Sequence, residues 1–110
     1  MERFVAGDVV VIPFPFSDLS GKKRRPSLII KKIAGNDYLL CQITHSSYHQ
    51  SEEIKIEKKD FERGGLRHSS FIRFTKVFST DESLIEYKIG SLKKEKMTEV
   101  ITKICAILKS

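Results

Sequence analysis

The chain has few of the residues that build disulfide frameworks, metal sites or membrane spans. Its 110 residues include two cysteines, three histidines and no tryptophan. Cys41 and Cys105 lie far apart and outside any Cys-x-x-Cys pair, and the histidines show no ligand spacing, so we expect free, buried thiols and no metal. No apolar run can cross a membrane, and the N-terminus lacks a secretory signal. These absences predict a cytoplasmic protein without a cofactor.

The composition fits one domain with a basic surface. At 110 residues and 40% hydrophobic content, residues 1–110 can bury a single core. The net charge is +6, and it is unevenly distributed: residues 20–32 hold six cations and no acid, whereas residues 52–62 hold five acids and three lysines. This concentration of charge favours a polyanionic partner beside the first loop, the alternative being an ordinary solvated face.

The segment Gly7–Lys32 joins two apolar strands through this basic loop. The first strand spans Val9–Phe16, and its prolines at 13 and 15 remove two N–H donors from the same edge, so we expect the strand to leave its sheet there. Pro26 biases Arg25 toward an extended backbone at the mouth of the second strand, Pro26–Ile30. Arg25 is therefore the cation of the loop with the best-defined position.

Alternating and apolar patterns predict further strands. After a hairpin turn at Gly35-Asn36-Asp37, the strand Tyr38–His45 places Leu39, Cys41 and Ile43 on one face and ends in polar Thr44 at its rim. The other predicted elements are strands at Glu52–Glu57, Ser69–Phe74 and Lys76–Ser79, a turn at Lys59–Gly65, a short helical turn at Leu84–Gly90 and a C-terminal helix from about Leu92. Ser91 is the expected cap of that helix and Glu95 favours its first turn.

Several blocks of the sequence carry a recognisable pattern: Gly7-Asp8-Val9-Val10, Arg25-Pro26-Ser27-Leu28-Ile29-Ile30, Gln42-Ile43-Thr44, Gly64-Gly65-Leu66 with Ser70-Phe71-Ile72-Arg73, and Lys88-Ile89-Gly90-Ser91-Leu92. These blocks resemble the PemK/MazF family of toxins from type II toxin-antitoxin systems. Together they cover nearly the whole chain in the family's order. The resemblance implies a mainly β fold, a small, partly closed SH3-like antiparallel barrel of the MazF/CcdB type with short helices and a C-terminal helix.

The same resemblance implies an enzyme that cleaves single-stranded messenger RNA without a metal, with Arg25 and Thr44 as the catalytic pair. RNA carries its own nucleophile, the 2′-hydroxyl, so the protein has to align the strand, neutralise the phosphoryl oxygens and move protons. Arginine suits the second task because its planar fork binds phosphate and keeps its charge. It is a poor proton acceptor, and the base stays open between His45, His68 and other groups.

We expect RNA contacts from the basic loop, from the polar segment after Thr44, from the Ser70 block and from aromatic rings such as Phe16 or Tyr48, on which unpaired bases can stack. The candidate RNA-binding residues are Lys22, Lys23, Arg24, Phe16, His45, Ser46, Ser70 and Arg73. By resemblance, the protein acts as a homodimer and is blocked by a cognate antitoxin. An acidic, partly disordered antitoxin would complement the positive charge.

Two other functions are compatible with this fold. One is a catalytically silent barrel that binds RNA or protein. The other is a gyrase-poisoning toxin. Toxins of that kind share a tryptophan-containing C-terminus, whereas this chain ends in Leu108-Lys109-Ser110 and has no tryptophan.

The basic loop generates a prediction on salt dependence. If residues Lys22 to Arg25 contact three or four phosphates, affinity for uncleavable single-stranded RNA falls with salt at a log-log slope of roughly −2 to −3, because each contact releases counterions. The measurement is a series of dissociation constants at increasing salt. A flat response would remove this loop from the RNA-binding surface.

Overall fold

The computed structural model describes residues 3–14 and 23–110, in which seven strands form one antiparallel sheet that is followed by a helix. The strands are β1 (Asp8–Phe14), β2 (Lys23–Lys32), β3 (Asp37–Thr44), β4 (Glu53–Ile56), β5 (Phe61–Gly64), β6 (Ser70–Asp81) and β7 (Tyr87–Leu92), and the helix is α1 (Lys94–Lys109). Short 3-10 turns lie at Gln50–Glu52, Lys58–Asp60 and Glu82–Leu84. The strand order across the sheet is β4-β6-β3-β2-β1-β7-β5.

The sheet curls because its two edge strands bury side chains in the same core. Ile54 and Ile56 of β4 and Phe61 of β5 come from opposite edges, yet they belong to one apolar cluster. Alternate residues of the central strands, such as Leu28 and Cys41, point into this cluster, and Val100 of α1 closes it. The prediction of a mainly β, partly closed antiparallel barrel with a C-terminal helix is confirmed.

A second apolar cluster covers the other face of the sheet. Ile29 and Leu40 point into it, one residue out of phase with Leu28 and Cys41. The N-terminal segment crosses this face, where the rings of Phe4 and Tyr38 meet edge to face at 5.9 Å. The phase predicted for β3, with Leu39, Cys41 and Ile43 on one face, is therefore confirmed.

Pro13 ends one of the two pairings of β1. The carbonyl oxygen of Val11 accepts a hydrogen bond from the N–H of Glu86 at 2.9 Å, so the backbone groups of Val11 and of Pro13, two residues on, face β7. Pro13 has no N–H to donate there, and the pairing with β7 ends at Val11. On its other side β1 stays paired with β2 up to Phe14. The expectation that β1 leaves its sheet is therefore met only for the pairing with β7, and Pro15 lies outside the described residues.

Gly64 and Gly90 come from two blocks that are distant in the sequence, and they let β5 and β7 approach each other closely. Gly64 of β5 lies opposite Gly90 of β7, and a Cβ on Gly90 would lie 2.7 Å from the carbonyl oxygen of Arg63. Gly64 has φ +64°, and a side chain there would overlap the carbonyl oxygen of Ile89. The two backbones approach this closely because neither position carries a side chain.

The prediction of a helical turn over Leu84–Gly90 is wrong. A 3-10 turn ends at Leu84, and Tyr87–Leu92 is a strand that fills the sheet between β1 and β5. Ser91 is not the helix cap: the N-cap is Lys93, without a side-chain hydrogen bond. The Ser91 hydroxyl instead donates to the buried Asp8 carboxylate at 3.0 Å, a partner 83 residues away that a local capping pattern cannot reveal.

Other boundaries differ less. The predicted strands Ser69–Phe74 and Lys76–Ser79 are one strand, β6, whose pairing with β3 shifts register between Arg73 and Val77. The predicted turn Lys59–Gly65 contains a 3-10 turn and then β5. In α1, Met97, Val100 and Ile104 of the predicted apolar stripe pack on the core. Ile101, Ile107 and Leu108 of that stripe are exposed.

Both cysteines are free, and only Cys41 is buried, so the prediction of a buried thiol is wrong for Cys105. Burial raises the pKa of the Cys41 thiol to about 12, because the thiolate would lose its hydration. Among the described residues no helix is long and apolar enough to cross a membrane.

The two thiols are therefore expected to differ in reactivity. Since the thiolate is the reactive form, the native protein at pH 8 should titrate one thiol quickly with a disulfide reagent and a second only on unfolding. The reaction is measured by the absorbance of the released thiolate, with Cys105→Ser as the control that abolishes the fast phase. Two fast thiols in the native protein would contradict the burial of Cys41.

Candidate functional site

The predicted catalytic pair lies at the same end of two neighbouring strands. β2 and β3 are paired with Ser27 opposite Gln42. Arg25 and Thr44 each lie two residues further toward this end, so they share the face of Ser27 and Gln42. Both residues line one open cavity of about 350 Å³. The sheet thus brings together two residues that are 19 positions apart in the sequence.

The walls of this cavity, which we call the Arg25 cavity, are cationic. Its described lining residues are Arg24, Arg25, Pro26, Ile43, Thr44, His45, Leu66, Arg67, His68 and Ser70. Three of them are arginines, two are histidines and none is acidic. Such a lining favours an anion, because no carboxylate among these residues repels it. Sequence reasoning missed Arg67, although it directly follows the Gly64-Gly65-Leu66 block.

Thr44 is buried and its hydroxyl is oriented by the next turn. The N–H of Ser46 donates to Thr44 Oγ1 at 3.3 Å. A threonine hydroxyl that accepts one hydrogen bond still has its own proton to donate. Thr44 can therefore donate to an oxygen atom in the cavity, and the predicted contact residue Ser46 serves here through its backbone.

Ser70 is also buried, but its hydroxyl proton is in use. Ser70 Oγ donates to the carbonyl oxygen of His68 at 3.1 Å and so ties the preceding segment to the start of β6. The oxygen of Ser70 remains an acceptor. His45 and His68 are exposed at the rim of the cavity.

Arg24 contributes less positive charge to the cavity than the sequence suggests. Its Nε lies 2.5 Å from Glu86 Oε1, and the hydrogen bond and charge of Glu86 raise the pKa of Arg24. The pair is exposed to solvent, so it adds little stability. Arg25 and Arg67 are consequently the main cations of the cavity. Lys23 begins β2, and Lys22 and Phe16 lie outside the described residues.

Arg73 is placed in a second cavity. It lies opposite Gln42 on β3 and opposite Glu53 on β4. Its Nη1 donates to Gln42 Oε1 at 3.4 Å, and its guanidinium carbon is 4.7 Å from the centre of the Tyr48 ring. This cavity of about 660 Å³ is larger, with Ile12, Phe78 and Leu84 among its walls. Arg73 therefore lies beside Gln42, which is two residues along β3 from Thr44, and it does not line the Arg25 cavity.

No group of three or more His, Cys, Asp or Glu side chains within residues 3–14 and 23–110 is arranged to hold a metal ion. The residues that converge on the Arg25 cavity are hydrogen-bond donors and cations. They can bind and polarise a phosphate group and can exchange protons with it.

A curled seven-stranded sheet with one terminal helix and a cationic cavity at a strand end defines a class of small antiparallel barrels. The sequence profile of PemK-like, MazF-like toxins of type II toxin-antitoxin systems matches residues 6–108. The chain belongs to this family. No curated protein sequence matches it significantly.

Solved structures with the same fold include family members in complexes. A MazE-MazF structure from Deinococcus radiodurans has a TM-score of 0.77 at 19% identity, with 96% of each chain covered. An endoribonuclease in complex with its cognate antitoxin, from a mycobacterial species, has a TM-score of 0.73 at 14% identity, covering 99% of this chain and 96% of that one. The Mycobacterium tuberculosis toxin MazF-mt6 has a TM-score of 0.72 at 15% identity, covering 93% and 96%.

Ser27, which shares a face of β2 with Arg25, gives a prediction about stability. Its side chain is fully buried, and its Oγ has no hydrogen-bond partner among the described residues. Burying an unpaired hydroxyl costs about 1–3 kcal/mol, so Ser27→Ala should raise the free energy of unfolding by about 1 kcal/mol in urea titrations.

Ser91→Ala is the matched control for Ser27→Ala. It removes a hydrogen bond to the Asp8 carboxylate and should lower the free energy of unfolding by about 2 kcal/mol. A loss of more than about 1 kcal/mol in Ser27→Ala would show that the Ser27 hydroxyl has a partner.

Proposed function

We propose that this chain is the toxin of a type II toxin-antitoxin system and acts as a metal-independent endoribonuclease on single-stranded RNA. The observation that carries the proposal is the placement of Arg25 and Thr44 on one face of the sheet, lining a cavity without acidic walls among its described residues. Family membership and the mycobacterial structural neighbour, which is an endoribonuclease, support the same activity.

In this proposal the scissile phosphate binds between Arg25 and Thr44. The guanidinium of Arg25 donates two parallel hydrogen bonds to the non-bridging oxygens, where negative charge grows as the reaction proceeds. The hydroxyl of Thr44, whose oxygen already accepts from Ser46, donates its proton to one of the same oxygens. Both groups are held by paired strands, so little reorganisation is needed when charge develops.

The reaction is an internal transfer within the RNA. The 2′-oxygen forms a bond to phosphorus as the bond from phosphorus to the 5′-oxygen breaks, which leaves a 2′,3′-cyclic phosphate and a 5′-hydroxyl. A base takes the proton of the 2′-hydroxyl, and an acid gives a proton to the departing 5′-oxygen. His45 and His68 at the cavity rim are the candidates for these two transfers, because histidine exchanges protons near neutral pH.

The proposal includes two protein partners. Residues 1–110 act as one toxin unit that pairs with a second copy of itself. An acidic, partly disordered segment of an antitoxin occupies the cationic cavity and excludes RNA. The complexes of related folds with MazE or a cognate antitoxin support such a partner.

The cleavage assay uses purified protein, a long single-stranded RNA and a metal chelator. We expect defined fragments with 5′-hydroxyl ends, and no cut at a position that carries a 2′-O-methyl group. Arg25→Ala should lower kcat/KM by about a hundredfold or more, and Thr44→Ala by about tenfold or more, because each removes a donor to the phosphoryl oxygens.

Arg3→Ala and Thr98→Ala are the matched controls and should cleave like the unmodified protein. The guanidinium of Arg3 stacks on Phe4, near the opposite end of the sheet from Arg25, and Thr98 is exposed on α1. Fragments with 5′-phosphate ends would exclude attack by the 2′-hydroxyl. Intact RNA that still binds would indicate the silent barrel instead.

A further inference from the structure

Tyr48 is an exposed aromatic residue with a fixed position. It lies in the segment between β3 and β4, and 59% of its surface is accessible. The guanidinium of Arg73 lies over one side of its ring, 4.7 Å from the centre. Much of the Tyr48 side chain is therefore open to a second contact besides Arg73.

Arg73 is itself held in place. It lies in the first third of β6 and is half-buried, and its Nη1 donates to Gln42 Oε1 at 3.4 Å. Glu53, directly opposite on β4, adds a negative charge close to this guanidinium. A ring that stacks on such a group loses little further freedom when a ligand binds to its outer side.

The backbone that carries Tyr48 is anchored by a single carboxylate. Glu53 accepts hydrogen bonds from Ser47 Oγ at 2.6 Å, from the N–H of Tyr48 at 2.8 Å and from the N–H of His49 at 3.1 Å. Desolvation works to raise the pKa of Glu53, but these hydrogen bonds and the charge of Arg73 outweigh it and lower the pKa. Glu53 is thus a charged anchor at neutral pH.

Arg73 and the Tyr48 ring that stacks on it lie near the Arg25 cavity, and Arg73 is on the same face of the sheet as Thr44. Arg73 is opposite Gln42, and Thr44 follows Gln42 by two residues, about 7 Å along β3. An RNA strand whose phosphate lies beside Thr44 would therefore bring an adjacent base close to the ring of Tyr48. Aromatic rings and arginine planes are the groups on which proteins stack unpaired bases.

We propose that Tyr48, backed by Arg73 and anchored by Glu53, is a stacking platform for an unpaired base next to the scissile phosphate. This inference rests on the proposed RNA-cleaving function and adds a substrate-positioning group to it. Tyr48 contacts the base, whereas Glu53 is a positioning residue that acts through the segment carrying the ring. The platform selects unpaired RNA, because a base inside a duplex cannot expose its face to the ring.

The experiment measures binding of a 2′-O-methyl single-stranded RNA, which cannot be cleaved, by fluorescence anisotropy. 2-Aminopurine placed at successive positions of this RNA reports stacking through quenching of its emission. We expect Tyr48→Phe to bind within about twofold of the unmodified protein. Tyr48→Ala should bind about tenfold or more weakly and lose quenching at one position, because base stacking contributes strongly to single-strand binding.

Two further readouts separate stacking from charge and from folding. Tyr48→Ala removes no charge, so the log-log slope of affinity against salt should stay unchanged. Leu108→Ala is the control for loss of an exposed apolar side chain and should bind like the unmodified protein, since Leu108 lies on α1 with 78% of its surface accessible. Tyr48→Leu keeps an apolar side chain without a ring and should bind as weakly as Tyr48→Ala. Glu53→Gln should weaken RNA binding less than Tyr48→Ala does. Glu53→Asp keeps the carboxylate and should bind RNA more tightly than Glu53→Gln.

The outcomes distinguish this inference from the proposed function. Full affinity and full quenching in Tyr48→Ala would overturn the platform and leave the Arg25 cleavage assay untouched. An equal loss in Tyr48→Phe and Tyr48→Ala would also overturn it, because the ring is common to Tyr and Phe. Failure of the unmodified protein to bind any single-stranded RNA would overturn the proposed function and the platform together.

Discussion

The antiparallel register of β2 and β3 is the constraint on which the candidate site depends. Ser27 opposite Gln42 fixes which residues share a face, and it places Arg25 and Thr44 together where the two strands end. A shift by one residue would turn Arg25 toward the opposite face, because side chains alternate along a strand. The register is strongly specified, since Leu28 and Cys41 fill one core and Ile29 and Leu40 fill the other.

The same ladder extends the site across the sheet. Arg73 of β6 and Glu53 of β4 continue the row that contains Ser27 and Gln42, and the Tyr48 segment folds back onto it. Phosphate-binding and base-binding groups would then occupy successive rows of one rigid surface. The segment between β3 and β4 needs the Glu53 carboxylate because its backbone N–H groups have no strand partner there.

Much of this architecture is readable in the sequence, and the exceptions share a cause. Short-range patterns predict β1 to β4, the turn at Gly35 and the phase of β3. They fail for β7 and for Ser91, because the backbone of Tyr87–Leu92 and the Ser91 hydroxyl find partners in β1 and Asp8, more than 75 residues away. In the site, the pairing of Arg24 with Glu86 and the position of Arg67 likewise depend on contacts between distant segments.

Pro13 has a consequence for how any peptide can bind to this surface. Beyond Val11 the β7 side of β1 has no strand neighbour among the described residues, and an unprotected edge of this kind invites strand addition by another chain. The proline ring removes the donor that an incoming strand would require there. A peptide that reaches this end of the sheet receives no backbone hydrogen bond from residue 13, so its side chains and charge must supply the contacts that a full strand ladder would otherwise provide.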